Sequence, residues 1–259
     1  MHRARKRFGQ NFLVDPTIIQ SLVSAISPKN TDNILEIGPG LGALTKPLLA
    51  KIDQLEVVEF DRDLIEQLQQ LNSNEKTVLV HQQDALKFDF SSPDKPRRIV
   101  GNLPYNISTP LIFHLLDQLP SIVDMHFMLQ KEVVDRICAT SGSRSFGRLS
   151  AMVQSKCVAQ QLIEVPAKSF SPAPKVTSAF IRLTPHSQRL VPIELEATFN
   201  TIVQACFSQP RKTLTNNLRK IISSDEISAT GIDPSIRPQQ LTLENLLTLT
   251  NTCKDHSFH

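Results

Sequence analysis

The sequence predicts an α/β fold: a doubly wound, mostly parallel sheet with helices on both faces, followed by a small all-helical C-terminal domain. Three observations carry this expectation. Between residues 33 and 183 short Val/Ile/Leu-rich runs alternate with segments of helical period, the pattern of a parallel sheet covered on both sides. After Thr184 the runs stop and apolar residues recur at helical spacing alone. The 259 residues, 40% of them hydrophobic, suffice for one large domain and a small appendage, since a domain usually takes roughly 100–200 residues.

Taken in order, strands are expected at 33–37, 55–60, 77–81, 98–101, 123–129, 158–165 and 176–183, with helices in most of the intervals. The last two lie so close in sequence that an antiparallel pair at one edge is expected. The domains divide as 1–185 and 186–259. In the second, Leu195, Phe199, Ile202 and Cys206 make one helical face, and Leu214, Leu218, Ile221 and Ile222 make another after Pro210. Leu241, Leu243, Leu246, Leu247 and Leu249 supply a third, and residues 230–238, with Gly and Pro, read as a connecting loop.

Composition excludes several classes. A net charge of +3 means that any nucleic-acid surface must arise from the arrangement of charges rather than their excess. The four cysteines, Cys138, Cys157, Cys206 and Cys253, never approach the spacing of a zinc or redox site, so no metal is expected and a reduced, cytoplasmic protein fits best. Arg3, Arg5, Lys6 and Arg7 are not followed by an apolar signal region, and no apolar run reaches the roughly 18 residues of a membrane span. Neither export nor a membrane is expected.

The first expected strand runs into Gly38-Pro39-Gly40-Leu41-Gly42, with a helix expected from about Ala43. Glycines at alternate positions let the backbone turn sharply and come close to a ligand lying across the carboxyl ends of the strands, as in Rossmann-like folds. The third glycine comes one residue earlier than in dinucleotide sites, which disfavours a pyrophosphate and a nicotinamide oxidoreductase. At the end of the second strand Glu59 can accept hydrogen bonds from both hydroxyls of a ribose. After the third, Asp84 and Ala85 can place a carboxylate beside an adenine amine and a small side chain against its ring.

Asn102-Leu103-Pro104-Tyr105 follows the fourth strand and precedes a helix expected from Thr109. These residue types suit one chemical problem. The exocyclic nitrogen of adenine is a poor nucleophile because its lone pair is delocalised into the ring. Two acceptors aimed at its hydrogens, the Asn102 side-chain carbonyl and the Pro104 backbone carbonyl, favour a pyramidal nitrogen whose lone pair points at an incoming methyl group. Proline fixes φ and has no amide hydrogen. Tyr105, the single tyrosine of a chain without tryptophan, can stack on a base that has left its helix.

With these residues in hand the chain resembles the small-subunit ribosomal RNA adenine dimethyltransferases along nearly its whole length. Arg7-Phe8-Gly9-Gln10-Asn11-Phe12-Leu13 is similar to the family's N-terminal motif, Glu36-Ile37-Gly38-Pro39-Gly40-Leu41-Gly42 to its cofactor loop, and Asn102-Leu103-Pro104-Tyr105-Asn106-Ile107-Ser108 to its acceptor motif. Met128-Leu129-Gln130-Lys131-Glu132-Val133 and Phe170-Ser171-Pro172-Ala173-Pro174-Lys175-Val176 are similar to later motifs. The resemblance implies a methyltransferase that dimethylates two adjacent adenines in small-subunit RNA. It implies S-adenosylmethionine held by Asn11, Leu13, Gly38, Glu59, Asp84 and Asn102, with Gln10 nearby and Gly40 in the cradle. It also implies that Phe170 closes the adenine pocket opposite Tyr105.

Relatives that confer antibiotic resistance by modifying large-subunit RNA share much of the acceptor motif. Gly9, the run Asn106-Ile107-Ser108, and Phe207 with Arg211-Lys212-Thr213-Leu214 and Asn217-Leu218 favour the small-subunit family. Pro210 departs from the basic residue expected there. Arg5, Lys6, Arg7, Lys175, Arg211 and Lys212, with Arg219 and Lys220 beyond, are the candidate phosphate contacts. The expected partner is ribosomal RNA in an assembling subunit, and a monomer is the default. A subunit-assembly factor with secondary or absent catalysis is the competing reading, against which the intact Glu59, Asp84 and Asn102–Tyr105 set speaks.

Overall fold

The computed structural model of the chain describes residues 11–92 and 95–254. Gln10, Arg5, Lys6 and Arg7 lie outside the described residues. The chain forms two compact units. The first comprises the described residues up to Val134 together with Gln160–Pro185, and the second Asp135–Ala159 with the chain from His186 onward.

In the first unit β1 (Phe12–Leu13) precedes α1 (Pro16–Ile26), β2 (Ile34–Ile37), α2 (Thr45–Leu49), β3 (Gln54–Glu59), α3 (Arg62–Gln69), β4 (Thr77–Gln82), β5 (Arg97–Asn102), α4 (Ser108–Leu116) and β6 (Ile122–Gln130). Helix α5 (Lys131–Ile137) and α6 (Arg148–Gln154) follow, then β7 (Cys157–Val165), β8 (Phe170–Ser171) and β9 (Ser178–Pro185). The main sheet has seven strands in the order β4-β3-β2-β5-β6-β9-β7. Strands β2 to β6 run parallel to their neighbours, and β9 runs antiparallel to β6.

Strand β2 is buried along its whole length, which is why its sequence is a continuous apolar run broken only by Glu36. From β2 the chain winds outward through β3 to β4, then returns to β5 on the other side. Right-handed crossovers therefore place α2 and α3 on one face of the sheet and α4 on the other. The reversal between β2 and β5 is the switch point at which ligands of open α/β sheets bind. Helix α1 starts at that level because Asp15 accepts the N–H groups of Thr17 (3.0 Å) and Ile18 (3.3 Å), with Pro16 in the first turn.

Three local features depart from the expected elements. The chain after Gly40 makes consecutive turns, so α2 begins at Thr45 rather than Ala43. No helix forms between β4 and β5 among the described residues; buried Phe88 and Phe90 fill that interval, with the Phe90 N–H bound to Gln118 Oε1 at 2.6 Å. And β1 pairs antiparallel with β8, two residues each, setting Leu13 opposite Phe170.

The second unit contains α7 (Glu196–Cys206), α8 (Leu214–Leu218), α9 (Ser224–Ala229) and α10 (Leu243–Thr252). Helix α7 packs against α6, α8 and α10, burying Phe199, Ile202, Val203, Leu214, Leu218, Leu246 and Leu249. Its division from the first unit differs from the single cut expected between 185 and 186, because residues 135–159 belong with the helices. Helix α6 is enclosed on most sides, with Ser150, Ala151, Met152 and Val153 all buried, and the His186 ring donates to the Gln154 carbonyl at 2.9 Å. Lying between two strands, this segment looks in sequence like an ordinary crossover. No helix among the described residues is long and apolar enough to cross a membrane.

Candidate active site

At the carboxyl ends of β2 to β5 lies a cavity of about 270 Å³, lined by residues 38–41 after β2, 59–61 at the end of β3, 83–86 after β4 and 102–107 after β5, with 11–13 along one side. It collects four loops that are distant in sequence. The glycines of the first loop are there for geometric reasons. Gly38 and Gly40 have φ of +64° and +57°, a region that favours glycine, and a Cβ on Gly40 would sit 3.1 Å from the Phe12 ring.

Glu59 is buried, and each of its oxygens already accepts one backbone N–H: Oε1 from Asp61 at 2.8 Å and Oε2 from Gly40 at 3.3 Å. A carboxylate oxygen has a second lone pair, so both remain able to accept a ribose hydroxyl. Burial pushes the Glu59 pKa up, opposed by these backbone bonds. Asp84 takes the Leu86 N–H on Oδ1 at 3.0 Å, which fixes the carboxylate and leaves its other oxygen for an amine. Ala85 beside it is buried. The donor set fits an adenosine: two acceptors for the ribose, one for the base amine.

Asn102 donates from Nδ2 to the Asn11 carbonyl at 3.0 Å. Only the amide nitrogen can make that bond, so the side-chain oxygen is the acceptor left for the cavity. The Leu103 N–H reaches the Met128 carbonyl at 3.2 Å, carrying the β5–β6 ladder one step into the loop. The Pro104 carbonyl already accepts the Ile107 N–H at 3.2 Å, so one lone pair remains for a substrate. The Tyr105 hydroxyl lies 2.6 Å from Ser178 Oγ, and burial raises its pKa.

One expected site residue stands apart from the cavity. Phe170 is 3% exposed; pairing with β1 draws it into the core with Leu13, Val165 and Phe180, and it does not line the cavity. No ring contact joins it to Tyr105 among the described residues. Lys175 is exposed in the first unit, and Arg211 and Lys212 are exposed in the second, in the turn before α8.

Sequence reasoning overlooked three cavity or near-cavity residues. Phe60 is 59% exposed and lines the cavity; an aromatic directly after the strand-end acid was its signal. Glu36, on the same wall, accepts the Thr45 hydroxyl at 2.7 Å, and burial pushes its pKa up to about 8. Ser178 had no signal, since only the fold brings β9 to the acceptor loop. Among the described residues no group of His, Cys, Asp and Glu is placed to hold a metal ion.

A doubly wound sheet with a cavity at its switch point, lined by Glu59, Asp84 and the Asn-Leu-Pro-Tyr loop, is the architecture of an α/β methyltransferase. The chain belongs to the family described as ribosomal RNA adenine dimethylase, whose sequence pattern matches residues 1–255. A ribosomal RNA small subunit methyltransferase A of Chromohalobacter salexigens is 50% identical over 257 residues, covering 96% of this chain and 91% of that protein. Among solved structures, a dimethyladenosine transferase from Plasmodium falciparum superposes with a TM-score of 0.79 at 26% identity, over 92% of this chain and 95% of the other. The 23S rRNA methyltransferase ErmE superposes at 0.76 with 24% identity, over 94% and 99%, a likeness of fold alone.

Proposed function

We propose that the protein transfers methyl groups from S-adenosylmethionine to the N6 amines of two adjacent adenines in small-subunit ribosomal RNA, within an assembling subunit. The observation that carries the reading is the convergence on one cavity of Glu59, Asp84 and the free side-chain oxygen of Asn102. When bound, the sulfonium supplies an electrophilic methyl group and a good leaving group. Glu59 receives the ribose hydroxyls, Asp84 the adenine amine, and Ala85 and Phe60 flank the base. Asn11, Leu13, Gly38 and Gly40, with Gln10, shape the rest of the cofactor side.

On the acceptor side, Asn102 Oδ1 and the Pro104 carbonyl accept the two N6 hydrogens and direct the nitrogen lone pair at the methyl group. Tyr105 stacks on the target base. The amine acquires positive charge as the methyl arrives, so its proton becomes acidic and passes to water without a strong base. Phe170 joins the pocket only if β8 moves away from β1 when RNA binds. Lys175, Arg211 and Lys212, with Arg5, Lys6 and Arg7, hold RNA phosphates, the transfer site lying in the first unit and a phosphate-holding surface in the second. A cytoplasmic monomer is the form proposed, and no disulfide joins the cysteines among the described residues.

The test is transfer of labelled methyl from S-adenosylmethionine to small subunits purified from cells lacking this protein, followed by nucleoside analysis. N6,N6-dimethyladenosine is the expected product. Tight binding to those subunits with no label transferred would overturn the enzyme reading in favour of an assembly factor.

A further inference from the structure

We propose that Ser178 is a positioning residue for methyl transfer, holding the Tyr105 ring at the inclination in which it stacks on the target adenine. The inference rests on the stacking role of Tyr105 given above. Tyr105 is tied at both ends by buried serine hydroxyls: Ser108 Oγ donates to its carbonyl at 3.1 Å, and its phenol meets Ser178 Oγ at 2.6 Å. Ser178 is 0% exposed. A hydroxyl so deeply buried needs a partner, and packing alone would be served equally well by alanine.

The placement links the loop to a rigid frame. Ser178 opens β9 opposite Gln130 of β6, and the Lys131 N–H extends that ladder to the Thr177 carbonyl at 2.9 Å. Strand β6 also supplies Met128, whose carbonyl receives the Leu103 N–H. Both halves of the acceptor loop are thus registered to β6: Leu103 directly, and the Tyr105 ring through Ser178. A flat base stacks productively only on a ring of fixed inclination. Without Ser178 the far end of the ring has no anchor, and only its backbone is held.

The chain contains one tyrosine and no tryptophan, so tyrosine absorbance and emission report on Tyr105 alone. In Ser178→Ala, S-adenosylmethionine affinity is expected to stay as in wild type and kcat on small subunits to fall roughly two- to tenfold, the worth of one hydrogen bond. The phenol, losing a hydroxyl that eases its ionisation, should ionise at higher pH. Tyr105→Phe removes the same bond from the other side and should match the loss in kcat, which covers the case in which Ser178→Ala fails to fold. In the Tyr105→Phe background, Ser178→Ala should add nothing. An equal further loss in that background, or an unchanged kcat in both single variants, overturns the proposal. If Tyr105→Ala itself turns over normally, the stacking reading falls and the role of Ser178 with it; if only Tyr105→Ala is impaired, the stacking reading stands and Ser178 is excluded.

Discussion

Glu36 and Glu59 are both buried carboxyls on one wall of the cavity, and their hydrogen bonds set them apart. Glu59 accepts two backbone N–H groups, which oppose the effect of burial; Glu36 has one hydroxyl, from Thr45, and burial pushes it up to about 8 from 4.5. The folded chain therefore holds a proton on Glu36 that the unfolded chain releases between those values, and stability falls as pH rises through that window. Glu36→Gln keeps the neutral shape. Without cofactor it should melt a few degrees above wild type near pH 8, the margin disappearing toward pH 4.5; a calorimetric series showing a pH-independent difference would count against it. Glu59→Ala should weaken S-adenosylmethionine binding by about 1.5–3 kcal/mol, the worth of hydrogen bonds to a charged acceptor, and unchanged affinity by titration calorimetry would remove Glu59 from the ribose site. Because its pKa is raised, wild-type affinity should begin to fall on acidification at a higher pH than for an ordinary carboxylate. The placement of Glu59, Asp84 and Asn102 on the cavity was legible in sequence because each is a polar residue at or just past the end of an apolar run, where a parallel sheet opens its carboxyl edge. Ser178 was not, because its partner lies 73 positions away and only the antiparallel β6–β9 ladder brings them together.

At the scale of elements, the join between β2 and β5 carries the site. Gly101 pairs with Ile37 across that join, and a Cβ there would lie 2.7 Å from the Ile37 carbonyl oxygen and 3.0 Å from Leu103 Cδ2. The backbone oxygen cannot swing aside as a side chain can, so Gly101→Ala must part the two strands. Overpacking of this kind costs about 1–3 kcal/mol. The strain falls next to Asn102, so the variant should lose both thermal stability and cofactor affinity; a lowered melting temperature with unaltered affinity would show that the displacement stops short of the acceptor loop. The central parallel strands β2, β3 and β5 could be read from apolar runs because a parallel strand in mid-sheet is buried on both faces, and the strands toward the edges, β4 and β7 among them, from shorter runs of Val, Ile and Leu. Strands β1 and β8 could not, since two residues carry no periodicity and the bonds beside their pairing, such as Ser169 Oγ donating to Asp15 Oδ2 at 3.0 Å, join positions far apart in sequence. The place of residues 135–159 was hidden for the same reason: what an apolar helix face packs against is a tertiary choice that its own sequence does not record.

For the whole molecule, the question is how a chain with a net charge of only +3 grips a polyanion. Arg211, Lys212, Arg219 and Lys220 stand exposed before and after α8, and none forms an ion pair among the described residues. Unpaired cations are free to displace counterions from phosphates, whereas paired ones must first give up a carboxylate. Pro210 supplies no charge, so Arg211 and Lys212 carry the turn before α8 alone. Reversing both, Arg211→Glu with Lys212→Glu, should weaken binding to small subunits and flatten the plot of log affinity against log salt by about 0.7–0.9 for each phosphate that is no longer neutralised, about 1.5 for the pair. Both residues are exposed and lie outside the helix proper, so the melting temperature should not move. Lys51 is the natural control: it is exposed and precedes β3, at the end of the sheet away from the cavity, and Lys51→Glu should leave the slope as it was. An unaltered slope in the double reversal would place the RNA on another face. Equal flattening by Lys51→Glu would mean that the interaction senses overall charge and not this turn.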